Sequence, residues 1–141
     1  MNFKDFIRRG LVRKATSDVE LAKSLIAESG KILAVIKELK PNDTNSTLLM
    51  RECYESFRQI CEAIAVYKGY RTYSHEAITA FIAEILNEKE IANSFDRYRK
   101  IRNSINYYGT PISLAETQKA LAEIPKFIEN LKKEHLFDVL R

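Results

Sequence analysis

The chain reads as an all-α protein, an antiparallel helical bundle of about five principal helices folded as one domain over residues 1–141. Three observations predict this. Apolar residues recur at spacings of three and four along most of the chain. Nothing alternates with a period of two for long enough to make a strand. Only four Gly and three Pro punctuate the 141 residues, too few for an architecture of strands and turns. With 45% hydrophobic and 30% charged residues, the chain is equipped for a core and is not disordered. A chain of this length buries about two-thirds of its unfolded surface, so it needs no disulfide or metal to fold.

The first segment, Phe3 to Lys14, is predicted as a short amphipathic helix, with Phe3, Phe6, Ile7 and Leu11 on its apolar side and Gly10 as a weak point. Ser17 opens a second helix, and Glu20, three residues on, completes a capping box. Its stripe is Ala22, Leu25, Ile26, Ser29, Ile32, Leu33, Ile36 and Leu39. The loop Pro41–Asn45 offers several caps for a third helix running to about Lys68. That helix turns Leu49, Cys53, Phe57, Ile60, Ile64 and Tyr67 inward and stops at Gly69. The Cys53–Ile64 stripe is expected at the centre of the bundle, packed on Leu25–Ile36.

Tyr70–Tyr73 is a short extended link, and Ser74 caps a fourth helix striped by Ile78, Phe81, Ile82, Ile85 and Leu86. Asn87-Glu88-Lys89 breaks the chain before a fifth helix, which ends at Gly109 with Pro111 beyond. Ser113 and Glu116 form a capping box for the last helix, striped by Leu114, Leu121, Ile124, Ile128 and Leu131. Pro125 lies inside that helix and is expected to kink or divide it.

Composition narrows the function. No apolar run approaches the roughly 20 residues that cross a bilayer, so no membrane association is expected. The net charge is +4 and the pI about 9.0, a mild basic excess compatible with nucleic acid. Its distribution says more: Lys4, Arg8, Arg9, Arg13 and Lys14 crowd the first segment, and Arg97 to Arg102 form a second cluster. The two either meet on one surface or stay two solvated faces. The first segment has the Arg-rich look of an organelle transit peptide, but it runs on without a Ser-rich spacer. Cys53 and Cys61 sit eight residues apart on one helix, about 12 Å along its axis and beyond disulfide reach. They read as small buried thiols in a reducing, cytoplasmic protein. No metal-ligand spacing, glycine-rich phosphate loop, nucleophile elbow or carboxylate pair appears, so no cofactor is expected.

The chemistry-bearing stretch is Arg97-Tyr-Arg-Lys-Ile-Arg-Asn-Ser-Ile-Asn-Tyr-Tyr-Gly109. On a helical wheel Ile91, Tyr98, Ile101, Ile105 and Tyr108 form the apolar stripe. Phe95, Arg99, Arg102 and Asn106 run beside it, with Asn103 and Tyr107 just outside. Arg97, Lys100 and Ser104 face the other way. A guanidinium at the border of a buried face suits bidentate binding of phosphate, with amides to orient it. The plainer reading is a border Arg covering the core and paired with an acidic neighbour, and that reading is the more common one. Of the two histidines, His75 reads first as a capping or hydrogen-bonding residue, with a catalytic role as the sharper alternative, and His135 as solvated.

Arg102-Asn103-Ser-Ile-Asn-Tyr107-Tyr-Gly109 resembles the signature helix of HEPN domains, small all-α proteins of bacteria and archaea that also occur in larger proteins. The family's Arg corresponds to Arg102 and its polar residue to Asn103. Phe95–Ile101, Tyr54–Ala63 and Gly69–Ala77 are similar to the lead-in, the third helix and the turn after it. The resemblance covers about residues 45–109. It implies an RNA-directed protein, toxin-like, acting as a homodimer, with Arg102, Asn103 and Tyr107 at the catalytic position and Arg99, Arg102 and Asn106 on phosphate. The alternative is a non-enzymatic module partnered by a minimal nucleotidyltransferase in a toxin–antitoxin pair. Where the family places the histidine of its metal-independent ribonuclease site, this chain has Tyr107. An unperturbed phenol, with a pKa of about 10, exchanges protons poorly at neutral pH, so cleavage is expected to be slow or absent.

Overall fold

A computed structural model describes residues 1–140. In chain order its elements are α1 (Phe3–Arg8), β1 (Val12–Lys14), α2 (Val19–Lys37), α3 (Ser46–Tyr67), β2 (Tyr70–Thr72) and α4 (His75–Ala80). A π-helical turn, Phe81–Ile85, then leads to α5 (Lys89–Tyr108), α6 (Leu114–His135) and α7 (Phe137–Leu140). This is an all-α bundle. No described helix is long and apolar enough to cross a membrane.

The bundle is built around α3. Its predicted stripe is buried from Leu49 through Ile64, but Met50, Tyr54, Cys61, Ala63, Ala65 and Val66 are buried as well. Only the face of Arg51, Glu52, Glu55, Arg58, Gln59 and Glu62 is polar, and α2, α4, α5 and α6 all pack on the helix. Phe57 lies at the centre, fully buried, edge-on to Phe95 of α5 at 5.2 Å and stacked with Phe127 of α6 at 5.8 Å. Buried hydroxyls fix the register between helices. Ser29 donates to the Ser56 carbonyl at 2.8 Å, Ser46 to the Ile112 carbonyl and Thr117 to the Ser46 carbonyl. Both cysteines are free and buried, and burial pushes the Cys53 thiol up to about 12, so it stays protonated and inert.

Several expectations from sequence are corrected. The first helix ends at Arg8, because Gly10 takes the left-handed conformation (φ +76°) and turns the chain into β1. β1 pairs antiparallel with β2, Val12 opposite Thr72 and Lys14 opposite Tyr70, so the chain does contain a two-stranded ribbon. Three residues are too few to show alternation, and the pairing partner lies some 58 residues away. The cap of α2 is Asp18, whose carboxylate accepts from the Leu21 N–H at 2.9 Å; Ser17 instead donates to the Tyr67 carbonyl. Ile85 is 40% exposed, because the wider π turn rotates it out of the stripe while Leu86 stays in. α6 runs unbroken through Pro125. Leu121 and Pro125 both line a hollow opposite Gly30 and Leu33 of α2, which leaves room for the ring and the carbonyl it displaces. His135 is not solvated: its Nε2 lies 3.0 Å from a Glu88 carboxylate oxygen and ties the end of α6 to the start of α5.

Backbone bonds extend the ribbon at both ends, Ala15 N–H to the Gly69 carbonyl and Tyr73 N–H to the Leu11 carbonyl. It therefore fastens the basic first segment to the turn that carries Ser74 and His75.

Candidate functional site

A groove of about 380 Å³ opens where the start of α4 meets α5. Ser74, His75 and Glu76 line one side; Arg99, Arg102, Asn103 and Tyr107 line the other. Each side follows from local sequence. Ser74 caps α4 by accepting from the Ala77 N–H at 3.0 Å, so His75 is the first helical residue and not the cap. α5 buries Ile91, Phe95, Tyr98 and Ile105, which turns Arg99, Arg102 and Asn103 to the border as half-buried side chains. Gly109, left-handed at φ +63°, closes α5 with its N–H on the Ile105 carbonyl.

The two border arginines differ. Arg99 is paired: its guanidinium lies 2.8 Å from Asp96 and 3.6 Å from Glu76. Burial works against the Asp96 carboxylate, but hydrogen bonds from Arg99 and Lys100 outweigh it and hold its pKa below the usual range. For Arg99 the plainer reading of a paired border Arg is correct. Among the described residues, Arg102 has no carboxylate within ion-pair distance. Its one polar contact among those residues is Nη1 donating to the Asn103 side-chain oxygen at 3.3 Å. A half-buried guanidinium without a counterion leaves donor capacity directed at the groove.

His75 is the residue that the local sequence undervalued. Its Nδ1 lies 2.6 Å from the Tyr54 hydroxyl, and the two rings stack at 5.7 Å. Tyr54 is buried on α3 and packs in turn on Phe95 at 5.4 Å, so an aromatic column runs from the core to the groove wall. The imidazole pKa is lowered, first by burial and then by the Arg102 and Arg58 cations, with Glu55 opposing them. Burial, above all, also pushes the Tyr54 phenol up, so it keeps its proton. The phenol and Nδ1 thus share one hydrogen bond at the groove wall. At neutral pH the imidazole is thus an uncharged polar group beside an unpaired cation. Arg58 itself is spoken for, gripping Glu55 at 2.7 Å and also Glu62.

The groove therefore unites Arg99, Arg102, Asn103 and Tyr107, all singled out from sequence. It leaves out Asn106, which is exposed and not part of the lining. Tyr108, expected on the apolar stripe, is 83% exposed, because the last turn of α5 runs past the core. Tyr107 lines the groove and is 72% exposed. Arg13 of β1 donates from Nε to the Tyr73 hydroxyl at 3.3 Å, and Tyr73 directly precedes Ser74. No group of three or more His, Cys, Asp or Glu side chains is placed to hold a metal ion among the described residues. What the arrangement offers is anion recognition: one free guanidinium, an amide, an imidazole and a hydroxyl on a concave surface.

No family model matches the chain, and neither does any curated protein or solved structure.

Proposed function

We propose that this chain is an RNA-binding protein of the HEPN type, holding a backbone phosphate in the groove between α4 and α5. One observation carries the reading: Arg102 is a half-buried guanidinium with no carboxylate partner among the described residues, in a concave site also lined by His75, Asn103 and Tyr107. An unpaired charge at a border costs stability and is best explained by a ligand that neutralises it. Phosphate matches the donor geometry, and the basic ribbon residues Arg13 and Lys14 add a field that attracts a polyanion. In this reading Arg102 and Asn103 bind phosphate, Arg99 orients the wall through Asp96 and Glu76, and Asn106 stands outside the contact.

The resemblance also implies a homodimer with α5 at its two-fold interface. In that arrangement each Arg102 comes near its symmetry mate, so the interface needs an anion or an acidic residue between the two. Sedimentation at micromolar concentration is expected to give a dimer, and a monomer would remove that part of the proposal.

The test of the main reading is binding of a mixed RNA, followed by fluorescence anisotropy across a salt series. Binding should weaken with salt and weaken further with Arg102→Ala. Affinity unchanged by that substitution would overturn the site. Capture of a mononucleotide with no affinity for RNA would favour the nucleotidyltransferase-partnered module instead.

A further inference from the structure

A larger opening lies on another side of the bundle. α2 and α6 both pack on α3 but make few contacts with each other, and the hollow they leave is about 750 Å³, about twice the groove between α4 and α5. Small-molecule sites have volumes of about 300–1,000 Å³. Leu33, Ile36 and Leu39 of α2 and Leu121 and Pro125 of α6 give it apolar walls. Gly30, in the interior of α2, lines it as well. A glycine weakens a helix interior, and two common reasons for one are missing here. Its backbone is helical, not left-handed, and a Cβ built on it would meet nothing within 4 Å. What the absent side chain keeps open is the hollow, and close approach of a ligand to bare backbone is the reason that remains.

The charged groups of the hollow are unequal. Lys132 is paired with Glu129 at 3.5 Å. Lys37 has no carboxylate within ion-pair distance among the described residues, and it stands in the last turn of α2, where the helix dipole favours a cation. The end of α2 lies against the start of α3, since Ile36, Leu39, Leu48 and Leu49 share a second hollow. The start of α6 lies there too, with Thr117 donating to the Ser46 carbonyl. Lys37 therefore belongs to the Leu121 end of the hollow and the neutral Lys132–Glu129 pair to the other. Between Leu121 and Lys132, α6 advances about 16 Å. One unpaired cation at one end of a long apolar trough matches an occupant with one negative head and a slender apolar tail. A methylene chain is thin enough to lie against the backbone at Gly30.

We propose that the hollow between α2 and α6 binds a free fatty acid, with its carboxylate on Lys37 and its chain laid along Gly30 and Pro125. This site is separate from the arginine-lined groove, and its test does not depend on the RNA reading.

The experiment titrates the protein with dodecanoate by calorimetry, below the concentration at which micelles form, with decanoate and dodecylammonium for comparison. The two methylenes missing from decanoate should weaken it by about 4- to 15-fold, for half to full burial of each. Dodecylammonium should bind more weakly than dodecanoate. Lys37→Gln should weaken dodecanoate by about 2- to 5-fold, as for an exposed ion pair, and should not weaken dodecylammonium. Gly30→Leu puts a side chain into the hollow and should weaken dodecanoate by more than about 10-fold. Leucine is also the better helix former, so this variant should melt at or above the wild-type temperature, which separates a blocked site from a damaged fold. No binding of dodecanoate by about 1 mM, equal affinity for the two head groups, or undiminished binding by Gly30→Leu would overturn the proposal. Sedimentation showing that Gly30→Leu dissociates an oligomer would give the hollow to a second copy of the chain and overturn it as well.

Discussion

Arg102 and Arg99 are three residues apart on one helix, yet replacing each with alanine should have opposite consequences. Arg102 has a free guanidinium. Its removal takes away one phosphate contact, and for a single strand each such contact contributes about 0.7 to the slope of log affinity against log salt. The slope of Arg102→Ala should therefore be shallower by about that amount. A charge-assisted hydrogen bond is worth about 1.5–3 kcal/mol, so affinity at low salt should fall by about 10- to 150-fold. Stability should move by less than about 0.5 kcal/mol, since only a long bond to the half-buried Asn103 amide, at 3.3 Å, is lost. Arg99 is bound to Asp96 and Glu76. Its removal leaves Glu76 unpaired and Asp96 with only Lys100, at 3.2 Å. That should lower stability by about 1 kcal/mol or more, because Asp96 is partly buried, and should weaken binding with little change of slope. Anisotropy titrations at four salt concentrations and urea melts of the same preparations read both quantities. Equal slope changes for the two variants would show that Arg102 is not the phosphate ligand.

Phe57→Ala should cost about 3–5 kcal/mol in a denaturant melt, since the ring is fully buried between Phe95 and Phe127; a loss below about 1 kcal/mol would mean that it is not core. Gly69→Ala should destabilise by about 1–2 kcal/mol from its left-handed backbone (φ +90°) alone, and by more because the new Cβ would sit 2.7 Å from the Ala15 carbonyl oxygen; wild-type stability would show that the ribbon yields. His75 is held below its ordinary value of 6.5, so the unfolded chain takes up this proton first: its contribution is constant above that pH, falls as pH drops below it, and levels off beneath the folded pKa. Thermal melts from pH 7.5 to 5 should therefore be flatter for His75→Gln than for wild type, and coincident profiles would contradict the assignment. Tyr107→His puts an imidazole on the groove with Arg102; in EDTA it should cleave RNA faster than wild type, in an Arg102-dependent way, and wild-type cleavage that survives Arg102→Ala would remove the site.

The all-α class, the limits of most helices and the central role of the Cys53–Ile64 stripe were legible in the sequence, because those signals are local. A stripe at spacings of three and four, Ser74 and Ser113 as caps, and Gly69 and Gly109 as stops each act within one or two turns of the residues that read them. The arginine-bearing border of α5 was legible for the same reason. What needed the tertiary structure was every decision made by a partner distant in the chain. The β1–β2 ribbon forms because residues some 58 apart meet, and Pro125 is tolerated because α2 leaves a hollow beside it. The local sequence of α5 gives Arg99 the carboxylate of Asp96 three residues before it, but that Glu76 on another element also reaches Arg99 needed the fold. His75 likewise looks like an ordinary helix start until Tyr54, 21 residues earlier, fixes its ring at the wall of the groove. Helical periodicity determines which face a side chain occupies; only packing determines what stands opposite it, and whether a charge on that face is already satisfied.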